Sequence, residues 1–132
     1  MLSLSQSVLD QLIDHARRDA PIEACGYLAG TGDLAQVYFP MRNVDQSAEH
    51  FAFDPAEQFA AFRQAQQSGL RLIACCHSHP ATPSRPSAED IRLAYDPNLH
   101  YVIVSLADEE PVVNSFRIRQ GEVEKEPLEV LP

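Results

Sequence analysis

The sequence lacks any run of about 18 apolar residues, which excludes a transmembrane helix of ordinary length. Its first residues, MLSLSQSVLDQLIDHARR, lack a basic leading region and set Asp10 and Asp14 inside the apolar pattern. They read as an amphipathic helix and not as a signal peptide, and a cytoplasmic location is the expectation. Cysteine is scarce: only Cys25, Cys75 and Cys76, an odd set with one adjacent pair, which argues against a disulfide framework. Neighbours on a strand face opposite ways, so Cys75 and Cys76 are not expected to share a site, and all three read as small buried apolar residues. Lysine is nearly absent, Lys125 being the one example, and the formal net charge is -9. That balance works against sequence-independent contact with nucleic acid and against an anionic membrane surface. No internal repeat or low-complexity segment occurs.

What is present suits a folded domain. The 132 residues, 45% of them hydrophobic, fit one domain spanning 1–132 with a core that needs no disulfide. Val8, Leu9, Leu12, Ile13 and Ala16 recur at helical spacing, giving a helix over 5–19 limited by Pro21. A strand over 23–29, a turn at 30–33 and a strand over 34–39 follow, then a polar loop and a short strand at 51–53. Asp54 and Pro55 open a second helix, with Phe59 and Phe62 on its core face and Gly69 as its stop. A buried strand over 70–78, a proline-rich loop, a helix from Ser87 to near Pro97, and strands at 101–106, 112–118 and within 122–131 complete the chain. The layout is α/β: one mixed sheet flanked by helices.

The segment that carries chemistry is His77-Ser78-His79-Pro80, then Ser87 and Asp90. Period two puts both imidazoles on one face at a strand end. Asp90 falls at the fourth residue of the helix opened by Ser87. Two imidazoles and a carboxylate make three ligands and leave one position for water, the pattern of catalytic and not structural Zn²⁺. The same set describes a facial-triad iron site, but a spare carboxylate nearby suits hydrolysis. Glu23, early in the apolar stretch IEACGYLAG, is that carboxylate and the candidate general base. Gly26 beside it allows close backbone approach. His15, His50 and His100 have no partner at ligand spacing and read as ordinary surface or loop histidines.

Pro21 to Gly30 together with H-S-H-P-x₆-S-x₂-D resembles the JAMM (MPN⁺) zinc metallopeptidases, in their compact stand-alone prokaryotic form. Asn43, Phe51 and Asp54-Pro55 are also similar to that family's connecting segment, so the likeness covers most of the chain. The resemblance implies a cytidine-deaminase-like sandwich and one Zn²⁺ held by His77, His79 and Asp90. It implies Glu23 as general acid and base, and Ser87 as hydrogen-bond donor to the oxyanion. It further implies cleavage of an amide or isopeptide bond at the C-terminus of a ubiquitin-like protein, in this branch a sulfur carrier. A non-enzymatic scaffold of the same fold is the alternative. A zinc deaminase is disfavoured because neither H-x-E nor P-C-x-x-C is present, and H-E-x-x-H peptidases are excluded by motif.

Overall fold

A computed structural model describes all residues from Met1 to Pro132. Strand β1 (Leu2–Ser5) leads into α1 (Gln6–Asp19), followed by β2 (Cys25–Thr31), β3 (Leu34–Met41), α2 (Pro55–Gln67) and β4 (Arg71–His79). Then come α3 (Ala88–Arg92), β5 (His100–Ser105), β6 (Val112–Arg119), β7 (Glu122–Glu126) and β8 (Leu128–Leu131). No helix is long and apolar enough to cross a membrane.

The eight strands form one mixed sheet in the order β7-β6-β5-β4-β2-β3-β1-β8. Strand β4 pairs antiparallel with β2 and parallel with β5, so it lies at the centre. Strands β7 and β8 sit at opposite ends of this order, yet only Pro127 separates them. Their facing ends are therefore at most about 8 Å apart along the chain, and the sheet must curl until its two edges meet. His100 is buried at that closure, its ring nitrogens 2.6 Å from Glu126 Oε2 and 2.9 Å from Asp33 Oδ1.

Alternation along the strands gives the sheet two apolar faces. Leu28, Ala74, Cys76, Val102 and Val104 face α1, which adds Val8, Leu12 and Ala16. Cys25, Tyr27 and Cys75 face the other way, toward α2 and its Ala61. Cys75 and Cys76 thus fall on opposite faces, as period two requires. Burial pushes the Cys25 and Cys75 thiols up to about 12, and Cys76 also well above the ordinary range, so all three behave as small apolar residues.

Several details depart from the sequence reading. Strand β1 was not anticipated; Leu2 and Leu4 are fully buried and precede Ser5, which caps α1 by accepting from the Val8 amide. Two short strands, β7 and β8, replace the single last one. Phe59 and Phe62 are not core: they are 61% and 52% exposed. At 3.6 residues per turn they point about 140° and 80° away from the Ala61 and Ala65 face that packs on the sheet. Helix α3 ends at Arg92: Leu93 is its C-cap, the Ala94 and Tyr95 amides turn to the Ile91 and Leu93 carbonyls, and further on the Tyr101 hydroxyl takes up the backbone N–H and C=O of Asp96. His15 and His100 are buried and partnered, His15 by Tyr38 and Asp19, and only His50 is exposed.

Gly26 is required by packing. A Cβ there would meet the Phe39 carbonyl and lie 2.7 Å from the ring and hydroxyl of Tyr38. That hydroxyl is itself held by His15 Nδ1 at 2.6 Å, so the ring cannot yield freely. Gly26→Ala is expected to cost about 1–3 kcal/mol or more, read from urea denaturation; an unchanged midpoint would contradict this packing.

Candidate metal centre

Strand β4 delivers His77 and His79 from one face at its C-terminal end. The rings are buried, and Phe51 stacks on His77 with centroids 4.7 Å apart. Asp90 arrives from α3. A reciprocal cap sets its position: the Asp90 amide donates to Ser87 Oγ at 3.0 Å, and the Ser87 amide donates to Asp90 Oδ2 at 2.9 Å.

Three atoms converge. His77 Nε2, His79 Nε2 and Asp90 Oδ2 form a triangle with every edge 3.1 Å. Bonds of about 2.0–2.1 Å in a tetrahedral Zn²⁺ site separate ligand atoms by roughly 3.3 Å, so the spacing fits such an ion. The tautomer fits as well. His79 Nδ1 donates to the Pro83 carbonyl at 2.8 Å, so release of the Nε2 proton that otherwise bonds Asp90 turns the Nε2 lone pair inward. These are the only His, Cys, Asp or Glu side chains that meet in such a group. The donor set, two imidazoles and one carboxylate with a remaining coordination position, matches what a catalytic zinc takes.

The local electrostatics agree with this. Burial alone would raise Asp90, but hydrogen bonds from His77 and His79 outweigh it and hold the carboxyl well below the usual carboxylate range. Burial would lower His79, but the Asp90 hydrogen bond and the Pro83 carbonyl outweigh it and raise the imidazole.

Glu23 precedes β2 and is not its first residue. Its amide donates to the Ser47 carbonyl, and its carbonyl accepts from Asn43 Nδ2 at 3.0 Å. The next residue is locked to β4: the Ala24 amide donates to Ser78 Oγ at 2.8 Å, and the Ser78 amide donates to the Ala24 carbonyl at 2.9 Å. Because Cys25 registers with His77, continuing the pairing brings Glu23 beside His79. Its side chain is buried, with Oε1 bonded to nothing. Burial pushes its pKa up to about 8; the attraction of His79 opposes this, and the repulsion of Asp90 and Glu89 adds to it. A dication at the triangle would draw that value back down.

This burial has a measurable consequence in metal-free protein. Below about 4.5, the ordinary value, Glu23 is protonated in both folded and unfolded chains and contributes nothing. Between 4.5 and about 8 the unfolded chain ionises while the folded one keeps its proton, so stability declines as pH rises. Glu23→Gln removes that decline. The variant should gain on the wild type progressively across this window in denaturant titrations with chelator present; a pH-independent difference would contradict a desolvated carboxyl.

Ser87 is exposed at the cap, and its oxygen accepts from Asp90, which leaves its hydroxyl hydrogen available. Beside the triangle lies a cavity of about 420 Å³, with His77 and Asp90 at one side and mainly Tyr27, Phe51, Phe53, Leu99 and Tyr101 as its apolar walls.

Sequence reasoning assigned no role to three residues that build this site. Asn43 is buried and ties Glu23 to the loop through its amide group, which also donates to the His50 carbonyl and accepts from the Ala52 and Asp45 amides. Ser78 locks Ala24, and Ser84 anchors the proline-rich loop by donating to the Ile103 carbonyl at 2.7 Å. In the sequence Asn43 and Ser78 stood only as matches to the family's pattern and Ser84 not at all; their partners in three dimensions give each its role.

Comparison with known proteins agrees with this geometry. The description "Prokaryotic homologs of the JAB domain" matches residues 5–119. The CysO-cysteine peptidase of Mycobacterium tuberculosis is 36% identical over 134 residues, covering 99% of this chain and 92% of that protein. A desampylase of Haloferax volcanii is 33% identical, covering 79% of this chain and 80% of its own length. A solved structure from Desulfitobacterium hafniense superposes with a TM-score of 0.89 at 44% identity, covering 99% of this chain and 93% of that one. A match over most of the chain and a relative at this identity leave one assignment: the chain belongs to the prokaryotic JAB-domain family, and is a compact protein of the JAMM (MPN⁺) type.

Proposed function

We propose that the chain is a zinc peptidase that hydrolyses an amide bond at the C-terminus of a ubiquitin-like protein of the sulfur-carrier kind. The observation that carries this reading is the triangle of His77, His79 and Asp90 next to a buried carboxylate oxygen that nothing else satisfies. The relatives' names supply the substrate class: one acts on a CysO-cysteine conjugate, another is a desampylase.

His77 Nε2, His79 Nε2 and Asp90 Oδ2 would hold the ion. Zinc bound there supplies a polarising Lewis acid and lowers the pKa of water to about 7. Every further step belongs to side chains. Glu23 takes a proton from the attacking water at its unpartnered oxygen and returns it to the leaving amine nitrogen. The Ser87 hydroxyl, whose oxygen is already engaged by the Asp90 amide, donates its hydrogen to the carbonyl oxygen of the scissile bond as negative charge grows there. Phe51 fixes the plane of His77, and Pro83 fixes that of His79. The apolar cavity takes an extended tail and sheds water around it.

The scaffold alternative has no observation in its favour, since the donor set is complete. A cytoplasmic place of work belongs to the same reading, consistent with three free, buried cysteines. The test is cleavage of a ubiquitin-like carrier bearing a C-terminal extension, followed by intact-protein mass spectrometry. Zinc-loaded protein should release the extension, and chelation should stop it; cleavage that survives full removal of metal would overturn the proposal.

A further inference from the structure

Asn43 stands at the neck of the loop between β3 and α2, where its backbone bridges to Phe53. Its side chain is buried and fully bonded. Nδ2 donates to the Glu23 and His50 carbonyls, both at 3.0 Å, with the Ser47 carbonyl at 3.4 Å. Oδ1 accepts from the Asp45 and Ala52 amides at 3.1 and 3.2 Å. A primary amide has two N–H donors and two lone pairs, so both capacities are used up. The surroundings also settle which end is which, since carbonyls face the nitrogen and amides face the oxygen.

Two of these partners flank the chemistry. One is the residue of the base. The antiparallel ladder between β2 and β3 ends at Cys25 and Met41, two residues short of Glu23. Beyond it the Glu23 amide turns to the Ser47 carbonyl at 2.9 Å, and the Glu23 carbonyl turns to Asn43. Oε1 of the buried side chain is bonded to nothing, so its aim rests on where this stretch of backbone sits. The other partner is the backbone around Phe51. Asn43 holds the peptide groups on both sides of it, through the His50 carbonyl and the Ala52 amide. Phe51 stacks on His77 with centroids 4.7 Å apart and meets Phe53 edge-on at 5.4 Å; Phe53 in turn stacks on Tyr27 at 4.7 Å. All three aromatic rings line the cavity. One side chain therefore ties the base to the wall that covers a metal ligand, while belonging to neither the triangle nor the cavity lining.

We infer that Asn43 is a positioning residue: it holds Glu23 and Phe51 at a fixed separation and so sets where the base stands relative to the triangle and the substrate. It acts on the reaction only through those two residues. This rests on the hydrolytic reading above and adds a residue to it. Misplacing a reacting group by about 1 Å can cost on the order of 10²-fold in rate, even when the altered residue is remote from the chemistry.

The test is a double-mutant cycle of Asn43→Ala with Glu23→Gln, on zinc-loaded protein and a ubiquitin-like carrier bearing a C-terminal extension. Asn43→Ala should keep one zinc per chain, lose about 10- to 100-fold in kcat, and raise KM as the wall loosens. In the Glu23→Gln background the same change should cost almost nothing further in kcat, because the group it aims no longer moves a proton. Asn43→Ser, with a shorter donor and acceptor, should fall between Asn43→Ala and the wild type, and it replaces Asn43→Ala in the cycle should that variant not stay folded. A crystal structure of the single variant should show the Glu23 carboxyl displaced from its place beside His79, with His77 Nε2, His79 Nε2 and Asp90 Oδ2 unmoved. Loss of zinc, an unchanged kcat, an equal loss in both backgrounds, or an unmoved Glu23 overturns the inference and leaves the hydrolytic reading intact. Failure of the wild type to cleave the carrier overturns both.

Discussion

Glu23→Gln should bind zinc as the wild type does, one ion per chain, and lose about 10²- to 10⁴-fold in kcat. The substitution keeps size and shape. It leaves the backbone bonds of Glu23 to Ser47 and Asn43 untouched and does not alter the three donor atoms. What it removes is the ability of a buried oxygen to accept a proton and give it back. Burial alone would push that oxygen's pKa up to about 8, so its basicity at neutral pH depends on a cation nearby. Metal content by elemental analysis and turnover on a carrier substrate separate the two effects. Full activity in the variant would remove Glu23 from the chemistry, and loss of zinc would reassign it to holding the ion.

His79→Ala should behave in the opposite way, losing zinc and activity together. The change removes one corner of the 3.1 Å triangle and also the bond from Nδ1 to the Pro83 carbonyl. Two ligands are a poor zinc site, and Asp90 loses one of the two imidazoles that hold its carboxyl ionised. For the wild type, free zinc at 100 times its dissociation constant should stabilise the fold by about 2.7 kcal/mol. Thermal melts with and without zinc should show that gain in the wild type and little in the variant, whose turnover should fall to background. A variant that still took up one zinc per chain would place the ion elsewhere.

Much of this site was legible before any coordinates, because its signals are local. His77 and His79 share a face for the simple reason that a strand repeats every two residues, and Asp90 sits three residues past a Ser87 cap. Glu23 was harder. It is 54 residues from His77, and its burial depends on Ser78 and Asn43, whose roles are invisible in one dimension. The fold was legible where periodicity was clean, as in α1 and β4. It was misread where apolarity stood in for burial: Phe59 and Phe62 looked like core, yet α2 packs through Ala61 and Ala65. Strand β1 was missed because four residues carry too little pattern, and its partners, Leu34 and Leu128, lie far along the chain. His15 and His100 were misread because what buries them is long-range: Tyr38 for one, Asp33 and Glu126 for the other.

The most direct measurement is anomalous X-ray scattering from crystals of the zinc-loaded protein, collected on both sides of the zinc absorption edge. One strong peak per chain, bonded to His77 Nε2, His79 Nε2 and Asp90 Oδ2 with Glu23 beside it, is the predicted result. A map with no peak among those three atoms, or with zinc bound instead at Cys25, Cys75 or His100, would contradict the metal-centred chemistry assigned to this chain.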